Sequence, residues 1–149
     1  MQDSIEKVID LKAPVSRVWQ AITDHSEFGE WFRVALENPF VVGEVTCGEV
    51  TYPGYEGLRW EATVETMDHE RLFAFRWCPY VIDGCTDYAG QPTTLVEFRL
   101  EPTPSGTRLT VVESGFSRLP DEAKAMEALR QNSGGWDAQA EHIVAYVDG

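Results

Sequence analysis

Residues 126–147 carry a helical stripe that constrains this chain more than any other feature. Met126, Leu129, Ser133, Trp136, Ala140, Ile143 and Val147 are spaced 3, 4, 3, 4, 3, 4, which puts them on one face of an α-helix. Pro120-Asp121-Glu122 supplies a first turn, with acids at the positive end of the helix dipole. Gly134-Gly135 is the weak point, costing about 1 kcal/mol per glycine relative to alanine. Such a pair either breaks a helix or lets something pack close. The pattern predicts a helix, kinked or continuous, to about residue 147. A helix with one apolar stripe needs a surface to bury it against.

The rest of the chain supplies that surface. Residues 4–12 read as a strand, with Ile5, Ile9 and Leu11 in one phase. Pro14 opens a helix carrying Val15, Val18, Trp19 and Ile22 on one face. Ser26 is positioned to cap a second short helix bearing Phe28, Trp31 and Phe32. Strand patterns follow at 44–51, at 58–67 (Trp60, Ala62 and Val64 in phase) and at Phe73, Phe75 and Trp77 up to Pro79. Residues 80–92 read as a loop; 93–101 alternate, with Val96, Phe98 and Leu100 inward; 102–106 turn into a last strand at 107–114. Alternation over neighbouring strands means an antiparallel sheet with one wet face. The expected architecture is one α+β domain over residues 1–149, in which a curved sheet of about six strands after the two short helices grips the terminal helix.

Charge and composition mainly exclude. Lys and Arg total 12 against 25 Asp and Glu, a net charge of −13. Nucleic acid, whose phosphates need a basic patch, and anionic membrane surfaces are poor partners for such a chain. No apolar run approaches the roughly 20 residues that cross a bilayer, and the polar Met1-Gln2-Asp3-Ser4 start is unlike a secretion signal. Cys47, Cys78 and Cys85 are odd in number and form no CxxC pair, the pattern of a cytoplasmic protein with reduced thiols. Aromatic residues make up 11% of the chain, more flat surface than a small core usually needs.

Ala13-Pro14-Val15-Ser16-Arg17-Val18-Trp19, followed by Asp24 and Trp31-Phe32, resembles the N-terminal signature of the START-like superfamily. More closely it resembles the branch named after the activator of heat-shock-protein-90 ATPase. Tyr52-Pro53-Gly54-Tyr55-Glu56-Gly57, Phe75-Arg76-Trp77, Thr94-Leu95-Val96-Glu97-Phe98, Glu113-Ser114-Gly115-Phe116 and Gly134-Gly135-Trp136 follow in the family's order over nearly the whole chain. The resemblance is to the stand-alone bacterial type, without the separate N-terminal domain of the eukaryotic chaperone activators. It implies a helix-grip fold with a cavity between the long helix and the sheet. It does not fix the ligand, because the superfamily includes lipid carriers, polyketide cyclases, plant hormone-binding proteins and chaperone partners.

Few residues suggest reaction chemistry. His25, His69 and His142 lack metal-ligand spacing, no GxSxG elbow or phosphate loop is present, and no cofactor is called for. Glu113 stands out: it shares a strand phase with Leu109 and Val111. It therefore either faces an apolar cavity, as an acid, base or ligand anchor, or reaches water or an arginine at the strand end. The inward aromatics are the second constellation. Phe28, Trp31, Trp60, Phe75, Trp77, Phe98 and Trp136 are the expected ligand-binding residues together with Glu113. Most of them also suit ordinary core packing, and Trp77, Phe75, Phe98 and Trp136 are the best-placed cavity walls.

The favoured expectation is binding of a hydrophobic or aromatic small molecule without catalysis. One alternative is a cyclase-, aromatase- or hydrolase-like enzyme using Glu113 with Tyr80 or His25 as proton-transfer groups. The other is a chaperone partner or similar interaction module. A homodimer stays open.

Overall fold

The computed structural model describes residues 2–79 and 92–149, and the following statements concern those residues. The Tyr80 and Cys85 readings, and residues 80–91 of the expected loop, lie outside them. Seven strands form one antiparallel sheet in the order β1-β7-β6-β5-β4-β3-β2. They are β1 (Ser4–Leu11), β2 (Val34–Leu36), β3 (Val45–Val50), β4 (Arg59–Asp68), β5 (Leu72–Trp77), β6 (Thr94–Thr103) and β7 (Gly106–Ser114). Helices α1 (Val15–Thr23) and α2 (His25–Phe32) follow β1, and α3 (Glu122–Asp148) ends the chain. This is the α+β helix-grip arrangement, with the run of six strands after the short helices.

The period-2 pattern correctly sorts the two faces. Ile5, Ile9 and Leu11 of β1, Trp60, Ala62 and Val64 of β4, Val96, Phe98 and Leu100 of β6, and Leu109 and Val111 of β7 are all buried. The cross-strand register aligns these into rows. One row runs Ile5, Glu113, Val96, Phe75, Val64 across β1, β7, β6, β5 and β4. The outward residues pair their charges near the surface, as Arg76 does with Glu65 at 2.8 Å. Such exposed pairs contribute roughly 0–1 kcal/mol each. The burial of the apolar rows dominates, at about 1.5–3 kcal/mol per large side chain.

Three local expectations are corrected, and the short strand β2 is additional to the strands read from the sequence. Asp24, not Ser26, caps α2: its carboxylate accepts from the backbone N–H groups of Ser26 at 2.9 Å and Glu27 at 3.1 Å. The strand β2 has three residues and no readable alternation. The strand β6 runs through Pro102, which pairs with Thr107, so the turn is confined to residues 104–105. Finally, Met126 is 55% exposed while Ala125 and Ala128 are buried. The inward face of α3 thus begins on small residues, one position off the apolar stripe. A side chain as small as alanine lets the helix approach closely, and the large thioether is left outside.

The helix α3 is continuous over 27 residues, and a Cβ added at Gly134 or Gly135 would meet nothing within 4 Å. No close approach therefore accounts for the glycines among the described residues. At its far end, Asp148 accepts from the backbone N–H groups of Lys12 at 2.8 Å and Ala13 at 3.0 Å. This fastens α3 to the turn after β1. Gly134→Ala should stabilise the fold by about 1 kcal/mol, through helix propensity alone, raising Tm by about 2–4 °C. A melting curve unchanged or shifted downward would show that the glycine serves a packing role.

Candidate functional site

Glu113 is completely buried. The in-phase placement with Leu109 and Val111 fixes this, because β7 puts alternate residues under α3. The carboxylate collects donors from three directions. Thr94 Oγ1 donates to Oε2 at 2.6 Å from β6, and Trp77 Nε1 donates to Oε2 at 2.9 Å from β5. From α3, Trp136 Nε1 donates to Oε1 at 2.9 Å, and Asn132 Nδ2 lies 3.2 Å from both oxygens. Two indole N–H groups, which can only donate, and an amide NH₂ match an acceptor-only carboxylate. The same bonds fix the orientation of both tryptophans.

Trp77 and Trp136 are stacked, with centroids 5.7 Å apart and an interplanar angle of 28°. They form one side of a crevice of about 100 Å³, completed by Phe32, Asn132, Gly135 and Gln139. A second void of about 10 Å³ lies deeper, among Ile9, Trp31, Phe98, Leu109, Trp136 and Ile143. That is near the minimum for one water. The crevice walls come largely from α3, where Asn132, Gly135, Trp136 and Gln139 follow at helical spacing. The Gly135 position, lacking a side chain, leaves part of the space.

The expected binding residues thus separate. Trp77 and Trp136 wall the crevice, with Glu113 fixing them from behind. Trp31 and Phe98 join Trp136 around the small void. Phe28, Trp60 and Phe75 line neither space. Phe28 is enclosed by Trp31, Phe32, Phe40, Trp60, Phe75 and Phe98 at centroid distances of 4.9, 4.8, 5.3, 5.9, 6.4 and 6.4 Å. Phe28, Trp60 and Phe75 therefore fill the core, while their neighbours Phe32, Trp31 and Phe98 border the two spaces. Trp60 Nε1 is buried without a hydrogen-bond partner. His25 is the first residue of α2 and borders neither space. No group of three metal-ligating side chains occurs among the described residues.

Phe32, Asn132, Gly135 and Gln139 were not expected at the site. Asn132 and Gln139 fall beside the apolar stripe, where polar residues read as solvated. Gln139 connects the crevice to a further group. Its Nε2 donates to the Phe32 carbonyl at 2.9 Å, leaving Oε1 to accept from His142 Nδ1 at 2.9 Å. The His142 ring lies 5.8 Å from that of Tyr52, over which the Arg33 guanidinium sits at 6.0 Å. Burial and, next, the Arg33 charge push the His142 pKa below its ordinary value of 6.5.

The family model described as "Activator of Hsp90 ATPase homolog 1-like protein" matches residues 12–148. The chain belongs to this family. Solved structures with the same fold include MLL2253 from Mesorhizobium loti, at 22% identity and TM-score 0.77, covering 97% of this chain and 96% of that one. CV1439 from Chromobacterium violaceum is similar at 18% identity and TM-score 0.76, covering 100% and 99%. DynU16, described as a putative protein in the dynemicin biosynthetic locus, is similar at 23% identity and TM-score 0.76; this chain is 99% covered but spans 48% of that one. No curated protein matches. No helix among the described residues is long and apolar enough to cross a membrane.

Within this member of the Hsp90-ATPase-activator-like family, two predictions follow from the site geometry. Each oxygen of Glu113 accepts from a different indole, so a glutamine there turns its NH₂ against one indole N–H whichever way it points. Glu113→Gln should therefore cost roughly 2–4 kcal/mol in denaturant unfolding, since a hydrogen bond to a charged group is lost and a buried donor is orphaned. A change under about 0.5 kcal/mol would contradict this account. For His142, the folded state disfavours the proton relative to the unfolded chain. Its contribution to stability is present above pH 6.5 and is lost as pH falls below that value through the lower folded pKa. Thermal melts should show Tm declining across this window, and His142→Gln should flatten the decline.

Proposed function

We propose that this protein binds a hydrophobic or aromatic small molecule, about one ring in size, in the crevice between α3 and the sheet, and that it acts as a binding protein and not as a catalyst. The stacked Trp77 and Trp136, held by Glu113 on the wall of the crevice, carry this reading. Apolar walls with a few polar groups are the usual composition of a ligand site. The volume sets the scale, for an apolar cavity of about 150 Å³ accepts benzene. A crevice of about 100 Å³ is smaller than that, so it takes one ring face with any substituent reaching past its ends, and it excludes the bulk of a lipid. Fixing both tryptophans beforehand also lowers the entropy lost on binding.

The arrangement of Glu113 argues against the enzymatic alternative. Both of its oxygens already accept from protein donors, so proton transfer to a ligand would first break this cage. A reaction also needs a second positioned titratable group in the same space, and the described walls are Phe32, Trp77, Asn132, Gly135, Trp136 and Gln139.

Titration with neutral single-ring compounds, indole and phenylpropanamide, should change the tryptophan fluorescence saturably and raise Tm. The stabilisation expected is about 2.7 kcal/mol at a hundredfold excess over Kd. Gly135→Leu should abolish both effects while leaving Tm equal or higher, because the position has open space and leucine favours the helix. If no compound binds the parent protein, or if the leucine variant binds as well as the parent, the crevice is not the ligand site.

A further inference from the structure

Arg33 is unlike most of the arginines in this acidic chain. Arg17 lies 2.6 Å from Glu27, Arg76 lies 2.8 Å from Glu65, and Arg99 lies 3.0 Å from Glu97. Arg33 has no carboxylate within ion-pair distance among the described residues. Its guanidinium rests over the Tyr52 ring instead. Its backbone is left-handed, with φ +73°, at the C-terminal cap of α2. Glycine is the usual residue in that conformation, because a Cβ disfavours it. An arginine here brings a charge where neither the backbone nor a neighbouring carboxylate calls for one.

The position adjoins the crevice. Phe32, the preceding residue, is one of its walls. The chain of contacts from Arg33 runs through Tyr52 and His142 to Gln139, which is another wall. At the opposite end, Asn132 touches the Glu113 carboxylate. The crevice therefore has a negative group behind its Asn132 end and an uncompensated cation beyond its Gln139 end. The two ends are seven residues apart on α3, about 10 Å along the axis at 1.5 Å per residue. That is the length of one ring carrying a short chain.

We propose that Arg33 recognises an anionic group at the Gln139 end of the crevice, so that the ligand class is a small aryl carboxylate bound with its ring against Trp77 and Trp136. This rests on the crevice being the ligand site. The guanidinium fork matches a carboxylate bidentately, and His142 and Tyr52 provide further polar surface beside it. The carboxylate cannot bind in the reverse sense, since its charge would then approach Glu113. The net charge of −13 repels anions in general, so a local cation is what makes such a ligand admissible.

The test compares phenylpropionate with its neutral isostere phenylpropanamide on the parent protein, Arg33→Gln and Arg33→Lys, by fluorescence titration and calorimetry. The parent should bind the carboxylate about tenfold more tightly than the amide, the scale of one good hydrogen-bonded charge pair. The preference should shrink as salt is raised. Arg33→Gln should lose it while keeping the amide affinity, and Arg33→Lys should keep part of it. Equal melting curves for the three proteins confirm that the changes are not folding defects. If the amide binds but the parent shows no preference for the carboxylate, or if Arg33→Gln leaves the preference intact, the anion site is wrong and the crevice stands. If neither compound binds, both proposals fall.

Discussion

A buried carboxylate has to find its hydrogen bonds within the protein, and the way Glu113 does so organises the rest of the molecule. Its donors come from β5, β6 and α3, while its own backbone lies in β7. One side chain therefore links three adjacent strands to the helix that covers them. The penalty for desolvating a charge is several kcal/mol, so the group is tolerable only with most of its lone pairs engaged. That requirement makes the geometry selective. A sheet or helix displaced by an ångström would leave a charge without partners, whereas an apolar contact at the same place would tolerate the shift.

The consequence for the site is that two large rings are held in place from their polar edges. An indole has a rotatable side chain and a large apolar face. Left to packing alone, Trp77, which is only partly buried, could turn outward or fall across the crevice. The Nε1 bonds prevent both. Elsewhere the aromatics pack edge to face around Phe28, an arrangement that satisfies ring quadrupoles and leaves little void. The aromatic surplus thus does two different jobs. In the middle of the sheet it fills the grip of the fold, and near the Gly135 turn of α3 it borders the crevice.

This division explains what could be read from the residues alone. Strand phases were legible because each has one wet face, and α3 was legible because its stripe persists for six turns. The same period-2 logic put Glu113 in phase with Leu109 and Val111 but left two directions open, because the other phase of β7 is partly apolar too and the residue lies near the strand end. Whether a given ring packs or lines a space was not legible, because Phe75 and Trp77 share one strand phase and differ only in what surrounds them in three dimensions. Asn132 and Gln139 were missed for a related reason. A polar residue beside a helical stripe normally meets water, and nothing local announces that Glu113 and the Phe32 carbonyl lie opposite. Met126 was misplaced because periodicity registers the hydrophobic residue and not the small one beside it, although the closeness of the helix depends on Ala125 and Ala128.

The net charge acquires a different meaning once the site is located. Spread over the outer face, −13 says little about ligands. At the crevice the distribution matters more than the total. Glu113 is compensated by neutral donors, which satisfy its lone pairs but leave its charge in place, and the medium around it is poorly polarisable. With Arg33 beyond the opposite end, the proposed ligand would meet a field directed along the crevice toward the acid. A symmetric apolar ligand would gain nothing from that field. A ligand with one charged end would be oriented by it before any contact formed, and the same pair of charges would reject the reversed pose.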